Sequence, residues 1–376
     1  SGSRITGMSS FDAVLLLSFG GPEAPEDVMP FLQRVTAGRG IPAERLAAVA
    51  EQYQAFGGVS PINAQTRALR EALEADLNVG VARDSADFLP VYWGNRNWDP
   101  FLSDALTQMR SDGVLNAAVV VTSGYSSYSG CRQYRENLYD SVTQVQADEV
   151  GPVPTLSKIR RWFDQPAFIE AMTDNVVAAI EALGPAAGPA PELAFTTHSI
   201  PIAQAQNSGD PALGGQMYVK QHEFVAGAIA NAVAARIGTE LPWKLVFQSR
   251  SGPPTMPWLE PDISDHLDSL KAADVSDVVI VPIGFISDHM EVMWDLDTVA
   301  MQHARDIGLN ASRASTVGCD PRFVAALAGL VRERQESVPQ AEQVALGPWG
   351  PAPDACPVGC CPNPRGDRPA LCGADS

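Results

Sequence analysis

Basic residues are scarce in this chain. Lys and Arg number 26 against 44 Asp and Glu, a net charge of −18. Phosphate backbones are held by basic faces, so nucleic acid is excluded as a partner. Docking on anionic lipid is excluded for the same reason. Long apolar runs are missing too. The strongest, AAVVV at 117–121 and VVIVPIGF at 278–285, have the length of buried strands and fall short of the ~18 residues that cross a bilayer. No secretory leader opens the sequence. SGSRITG before Met8 reads as an added segment, so Met8 is the expected start and the cytoplasm the expected location. Neither GxGxxG nor a P-loop occurs, which leaves a nucleotide reading without support. Cysteine is rare until the very end. Cys131 and Cys319 are alone in the first 355 residues, whereas Cys356, Cys360, Cys361 and Cys372 crowd the tail. In a reducing compartment such a group binds metal more readily than it forms disulfides.

What is present is an alternation. The composition, 45% hydrophobic and 19% charged, supports a core in each of two domains, the prior set by 376 residues. AVLLLSF (13–19), FLPVYWG (88–94), AAVVVTS (117–123), ELAFTTHS (192–199), WKLVFQS (243–249) and DVVIVPIGF (277–285) read as buried strands. Helical patterns lie between them, at 166–183 and 215–237 among others. The Pro/Gly/Ala stretch 184–192 reads as a linker dividing two comparable halves. VVVTSGYSS (119–127) and VIVPIGFIS (279–287) match at an offset of 160 residues, pairing Gly124 with Gly284 and Ser127 with Ser287. The expected fold class is therefore α/β: two similar Rossmann-like halves with parallel sheets, at 8–185 and 190–340, plus a Cys-rich segment at 341–376. Ligands in such sheets sit beyond the carboxyl ends of the strands. The loops GYSSYSG, THSIP and SDHME would all line that cleft.

Among the five histidines, His198 follows a buried strand directly. A lone histidine there is more often satisfied by backbone than used. In SDHMEVMWDLD, Glu291 and Asp295 are four apart, so a helix puts both carboxylates on one face. They also suit an ordinary acidic helix start. The apolar neighbours Val292, Met293 and Trp294 nevertheless bury this helix, and buried carboxylates need a reason. A histidine facing a carboxylate row suits a divalent cation handled together with protons. SSYSGCRQYREN sets Tyr128, Tyr134, Arg132 and Arg135 beside Cys131, a mixture that fits a flat anionic ligand or equally a solvated loop. By itself the tail suits zinc and an iron–sulfur cluster alike.

Taken together, LLLSFGGPE, YQAFGGVSPIN, THSIP, VFQSRSG with MPWLEP, and PIGFISDHMEVMWDLD resemble the ferrochelatases, over roughly residues 11 to 335. That resemblance implies two Rossmann-like halves around a porphyrin cleft, with porphyrin and Fe²⁺ as substrates and no ATP. It implies that His198 binds iron or accepts a pyrrole proton, with Glu291 working opposite and Asp295 on an acidic path. Val299 stands where the family often has a further acid. Ser60 and Tyr134 match positions that contact propionates. Phe19 falls where one branch has an iron-ligating tyrosine, a role phenylalanine cannot fill. The resemblance further implies a [2Fe–2S] cluster with one ligand in the Cys131 loop and three in the tail. The favoured set is Cys131, Cys356, Cys360 and Cys361, with Cys372 spare or replacing Cys360, and structural zinc as the alternative. Cys319 is expected to be a buried structural cysteine. The tail resembles the actinobacterial branch, which implies coproporphyrin III as substrate and coprohaem as product, with protoporphyrin IX as the alternative. A non-catalytic porphyrin carrier is the rival from another class, and a proton acceptor facing an acid argues against it. A monomer is expected.

Overall fold

The computed structural model describes residues 10–185 and 190–375. The expected start at Met8 and the middle of the expected linker, 186–189, lie outside the described residues. Eight strands form two separate sheets. The first contains β1 (Ala13–Ser18), β2 (Val91–Asn95), β3 (Asn116–Val121) and β4 (Thr155–Lys158), in the order β2-β1-β3-β4. The second contains β5 (Glu192–His198), β6 (Trp243–Gln248), β7 (Asp277–Pro282) and β8 (Asn310–Arg313), in the order β6-β5-β7-β8. Every pairing is parallel, and the orders are equivalent strand for strand. The repeat read from the two loops is therefore a repeat of whole sheets.

Apolar residues run continuously along these strands because both faces are covered. Val14 and Leu16 enter one core cluster, whereas Ala13, Leu15 and Leu17 enter another on the opposite face. In the second sheet, Leu193 and Phe195 join that same central cluster, and Ala194 faces outward into a third. One core thus joins the inner layers of both halves. Helices cross between them. Pro166–Ala182, which precedes the linker, packs on β7, β8 and the helix Met217–Ile237. Pro321–Gln335 packs back on the helix Ile62–Leu77 and on β3. A cut at the linker would part the sheets but not the helices that cover them.

Strands β4 and β8 are absent from the sequence reading. Both are four-residue edge strands, TLSK and NASR, too short and too polar to show a continuous apolar run. The matched glycines have a physical role in both halves. A Cβ on Gly124 would lie 2.5 Å from the Trp162 ring, and one on Gly284 would lie 2.0 Å from Thr197 Oγ1. Each third strand therefore turns out against a neighbouring side chain at a distance no other residue permits.

Candidate functional site

The chemistry gathers where β5, β6 and β7 end. His198 is the last residue of β5. Its Nδ1 donates to the Ser199 carbonyl, which can only accept, and this leaves Nε2 turned toward the carboxylate side. That nitrogen lies 3.6 Å from Glu291 Oε1. Tyr218, from the helix Met217–Ile237, donates its hydroxyl to the His198 carbonyl at 2.6 Å and also meets Thr197 Oγ1 at 3.0 Å. The strand end is thereby anchored from the core side.

Glu291 is held from several directions. Gln248, the last residue of β6, donates to its carbonyl at 2.8 Å. His289 Nδ1 is 2.8 Å from Glu291 Oε2 and 3.2 Å from the Glu291 amide. A ring nitrogen that close to a carboxylate oxygen carries the proton, so the carboxylate contact takes precedence. Burial alone would raise the Glu291 pKa; His289 first, then His198, outweigh it and bring the group down to about 2. Its side chain nevertheless keeps 41% of its surface open, toward the cleft rather than toward a packed core. Asp295 goes the other way. Burial, reinforced by the Glu291 charge, lifts it to about 6, against the opposing hydrogen bond from Ser249 Oγ. Two carboxylates one turn apart thus titrate in separate ranges, and Asp295 is the one that takes up a proton first as the pH falls below neutral.

The helix that carries them departs from expectation. Met293–Ala300 is π-helical rather than α-helical. The wider turn is visible in Thr298, whose hydroxyl donates to the Met293 carbonyl five residues back at 3.0 Å. Such segments concentrate at functional sites. Glu291 and Asp295 remain neighbours, and Val299 is exposed, so no third acid extends the row.

The first half supplies the facing wall. Phe19 follows β1 and Tyr134 begins the helix Gln133–Gln146. The Arg96 guanidinium lies between them, 5.4 Å from the Phe19 ring and 4.6 Å from the Tyr134 ring. The Glu291 charge bears on both Tyr134 and Tyr53, so these phenols share the cleft with the His198–Glu291 pair. Phe56 and Trp294 meet edge to face across the halves with centroids 6.3 Å apart. Ser60 is buried beneath Gly21, where its Oγ accepts from the Ile62 amide at 3.4 Å. His289, Tyr218, Gln248 and Ser249 were not singled out from the sequence as site residues. Only His289 carried a signal, two residues before Glu291 in SDHME.

Behind the cleft, Cys131, Cys356, Cys360 and Cys361 form one buried cluster. Cys131 lies on a π-helical turn, Tyr128–Arg132, held by the Ser127 hydroxyl accepting from the Gly130 amide at 2.8 Å. Thiols of Cys356 and Cys361 hydrogen-bond to its sulfur and hold Cys131 well below the usual thiol range. Cys360 and Cys361 sulfurs are 3.9 Å apart, and the Gly209 amide points at Cys361 Sγ at 3.2 Å. Among the described residues, no group of three or more His, Cys, Asp and Glu converges on a single ion, so these sulfurs lie side by side. Cys372 stands apart, with its sulfur on the Leu156 carbonyl at 3.5 Å. Cys319 is exposed, contrary to expectation. It sits in the turn before the helix at Pro321, where neither a strand nor a helix face covers it.

One further cluster is structural. His222 is fully buried, stacked on Tyr125 at 3.5 Å, and donates from Nδ1 to the Tyr218 carbonyl. Burial pulls its pKa from 6.5 to about 3. Above pH 6.5 it is neutral folded and unfolded. Below that, only the unfolded chain takes the proton, so stability falls as pH drops from 6.5 toward 3. Between pH 7.5 and 5.5 the loss from this group is expected to be about 1.4 kcal/mol. Denaturant unfolding of wild type and His222→Asn at both pH values checks this; equal losses in the two proteins would refute it.

An imidazole with one nitrogen tied to backbone and the other facing a carboxylate, at the strand ends of two duplicated parallel sheets, suits the exchange of protons with a cation. The ferrochelatase profile matches residues 11–335, and the chain belongs to the ferrochelatase family. It is 53% identical over 370 residues to the coproporphyrin III ferrochelatase of Streptomyces griseus, covering 97% of each chain. It is 52% identical over 372 residues to that of Streptomyces coelicolor, covering 98% of this chain and 97% of the relative. Among solved structures, SirB from Bacillus subtilis with Fe³⁺ aligns with a TM-score of 0.48 and 13% identity, over 89% of this chain and 98% of that one. No helix among the described residues is long and apolar enough to cross a membrane.

Proposed function

We propose that this chelatase inserts Fe²⁺ into coproporphyrin III, with His198 and Glu291 as the catalytic pair. The observation that carries the reading is His198 Nε2, 3.6 Å from Glu291 Oε1 at the end of β5, with Nδ1 committed to the Ser199 carbonyl. The choice of porphyrin is supported by relatives of that name at 53% and 52% identity over nearly the whole chain. In the reaction a porphyrin gives up two pyrrole protons as one Fe²⁺ enters, so charge balances without any redox step. His198 Nε2 accepts the two protons in turn, giving up the first before the second leaves the ring, and Glu291, anionic throughout the neutral range, stabilises the imidazolium each time. Asp295, with a pKa of about 6, is suited to pass the proton on toward Ser249 and solvent. Anaerobic iron insertion tests this. The wild type should turn over coproporphyrin III faster than protoporphyrin IX. The reverse order would refute the substrate, and binding without insertion would refute the enzyme.

For the four clustered cysteines we propose a [2Fe–2S] cluster held by Cys131, Cys356, Cys360 and Cys361. The supporting observation is electrostatic. Lys158 is buried at 6% exposure, and its hydrogen bond runs to the Ile159 carbonyl at 3.5 Å. Arg161 points Nη1 at Cys131 Sγ, 3.6 Å away, while its buried Nε has no partner. Buried cations without carboxylates need another anion, and four metal-bound thiolates supply it. A cluster there would supply a redox-active centre; the protein's own part is to bury the sulfurs and set two cations against them. Structural zinc would use the same sulfurs, and iron and sulfide analysis separates the two.

A further inference from the structure

Four carboxylates, Asp288, Glu291, Asp295 and Asp297, fall within the ten residues 288–297 that carry the acidic side of the site. Like charges this close repel, and π-helical turns are uncommon, so the segment needs something to hold its shape. His289 answers Glu291 from within. Asp288 and Asp297 are answered from outside, by Arg313, the last residue of β8. Its Nε and Nη2 grip the two oxygens of Asp297, the latter at 2.9 Å. Its Nη1 donates to Asp288 Oδ1 at 3.0 Å and to the Ala314 carbonyl at 3.2 Å. All three nitrogens are spent, and the side chain is only 16% exposed. Asp288 is held further. Thr316 donates its hydroxyl to the same Oδ1 at 3.2 Å. The Asp288 amide donates to Gln65 Oε1 at 2.8 Å, on the helix Ile62–Leu77 of the first half. The next residue, His289, sets its ring edge-on to Phe285, with centroids 4.6 Å apart, and turns Nδ1 to Glu291.

One guanidinium thus ties a residue just before His289 and Glu291 to a residue just after Asp295. With His198 and Glu291 read as the catalytic pair, we propose that Arg313 is their positioning residue: its fork joins Asp288 to Asp297 and so fixes where Glu291 and Asp295 stand against His198. A bidentate guanidinium–carboxylate pair sets direction as well as distance, which a lysine ammonium does not. The hydrogen bonds of Arg313 go to Asp288, Asp297 and Ala314, none of them catalytic. Its effect on the rate therefore passes through the backbone between them. A reacting group displaced by about 1 Å can lose about a hundredfold in rate.

Arg313→Lys and Asp297→Asn test this, alone and together. Amide hydrogen exchange, read by mass spectrometry, should rise over 288–300 in each and stay at wild-type levels in the first sheet. The rate of iron insertion per porphyrin-binding site should fall about tenfold, with affinity for metal-free coproporphyrin III unchanged. Sites are counted by quenching of porphyrin fluorescence, which removes any unfolded fraction. An ion pair that only stabilised the fold would lower the melting temperature and leave the rate per site alone. The double variant should lose little more than either single one, because the two side chains form one fork. Asp297 keeps 38% of its side chain exposed, so Asp297→Asn carries the comparison should Arg313→Lys fail to fold. A wild-type rate per site, unchanged exchange over 288–300, or additive losses in the double variant overturns the proposal. A wild type that binds porphyrin yet inserts no iron overturns the enzymatic reading, and the exchange over 288–300 then decides the fork by itself.

Discussion

Replacing His198 by alanine should lower the rate of iron insertion by about 10²–10⁴-fold, the usual range for losing a positioned proton acceptor. Porphyrin affinity should stay close to that of the wild type, because the cation available to an anionic substrate, Arg96, lies with Phe19 and Tyr134 on the facing wall. Geometry makes the case for a large effect. The Ser199 carbonyl holds Nδ1, Tyr218 fixes the strand end, and Glu291 faces Nε2 at 3.6 Å. No other described imidazole has this arrangement. His289 spends Nδ1 on Glu291, and His222 is sealed in the core. Glu291→Gln should act in the same direction, since a neutral amide cannot stabilise an imidazolium. Stopped-flow absorbance of metalloporphyrin formation separates binding from insertion. A fall of less than tenfold for His198→Ala would remove it from the proton path.

The second large effect is expected at Cys131. In Cys131→Ala, the visible absorption of anaerobically purified protein should vanish, with iron and acid-labile sulfide falling to background. Cys372→Ala should keep all three. The contrast follows from position. Cys131 lies in the buried sulfur group that Lys158 and Arg161 face, whereas Cys372 rests on a backbone carbonyl outside it. Metal binding at ligands so far apart in sequence is also folding energy. The melting temperature of Cys131→Ala should therefore drop. A colourless wild type containing zinc would refute the cluster, and loss of colour in Cys372→Ala would refute the ligand set.

Legibility in the sequence followed the type of constraint. Strands buried on both faces announce themselves as continuous apolar runs, and the six read from the sequence, the edge strands β2 and β6 among them, all stand in the sheets. Strands β4 and β8 do not announce themselves, because TLSK and NASR are only four residues long and largely polar. His198, Glu291 and Asp295 were legible because each directly follows a buried strand or sits beside apolar residues, where a polar side chain calls for explanation. His289 was partly legible, through its spacing from Glu291. Tyr218 was not, because a tyrosine in an amphipathic helix looks like core until its hydroxyl is seen on the His198 carbonyl. The burial of Cys319 was misjudged because a cysteine's type favours the interior, whereas its turn lies on the surface.

By itself, then, the sequence determined the α/β class, the duplication, and the residue types assembled at the strand ends. Those follow from local rules of hydrophobic period and loop position. Only the tertiary structure decided which groups meet. It set Cys131 against three cysteines of the tail and left Cys372 aside, and it paired Glu291 with two imidazoles. Such meetings depend on how separate segments pack over hundreds of residues, and neither spacing nor composition encodes that distance.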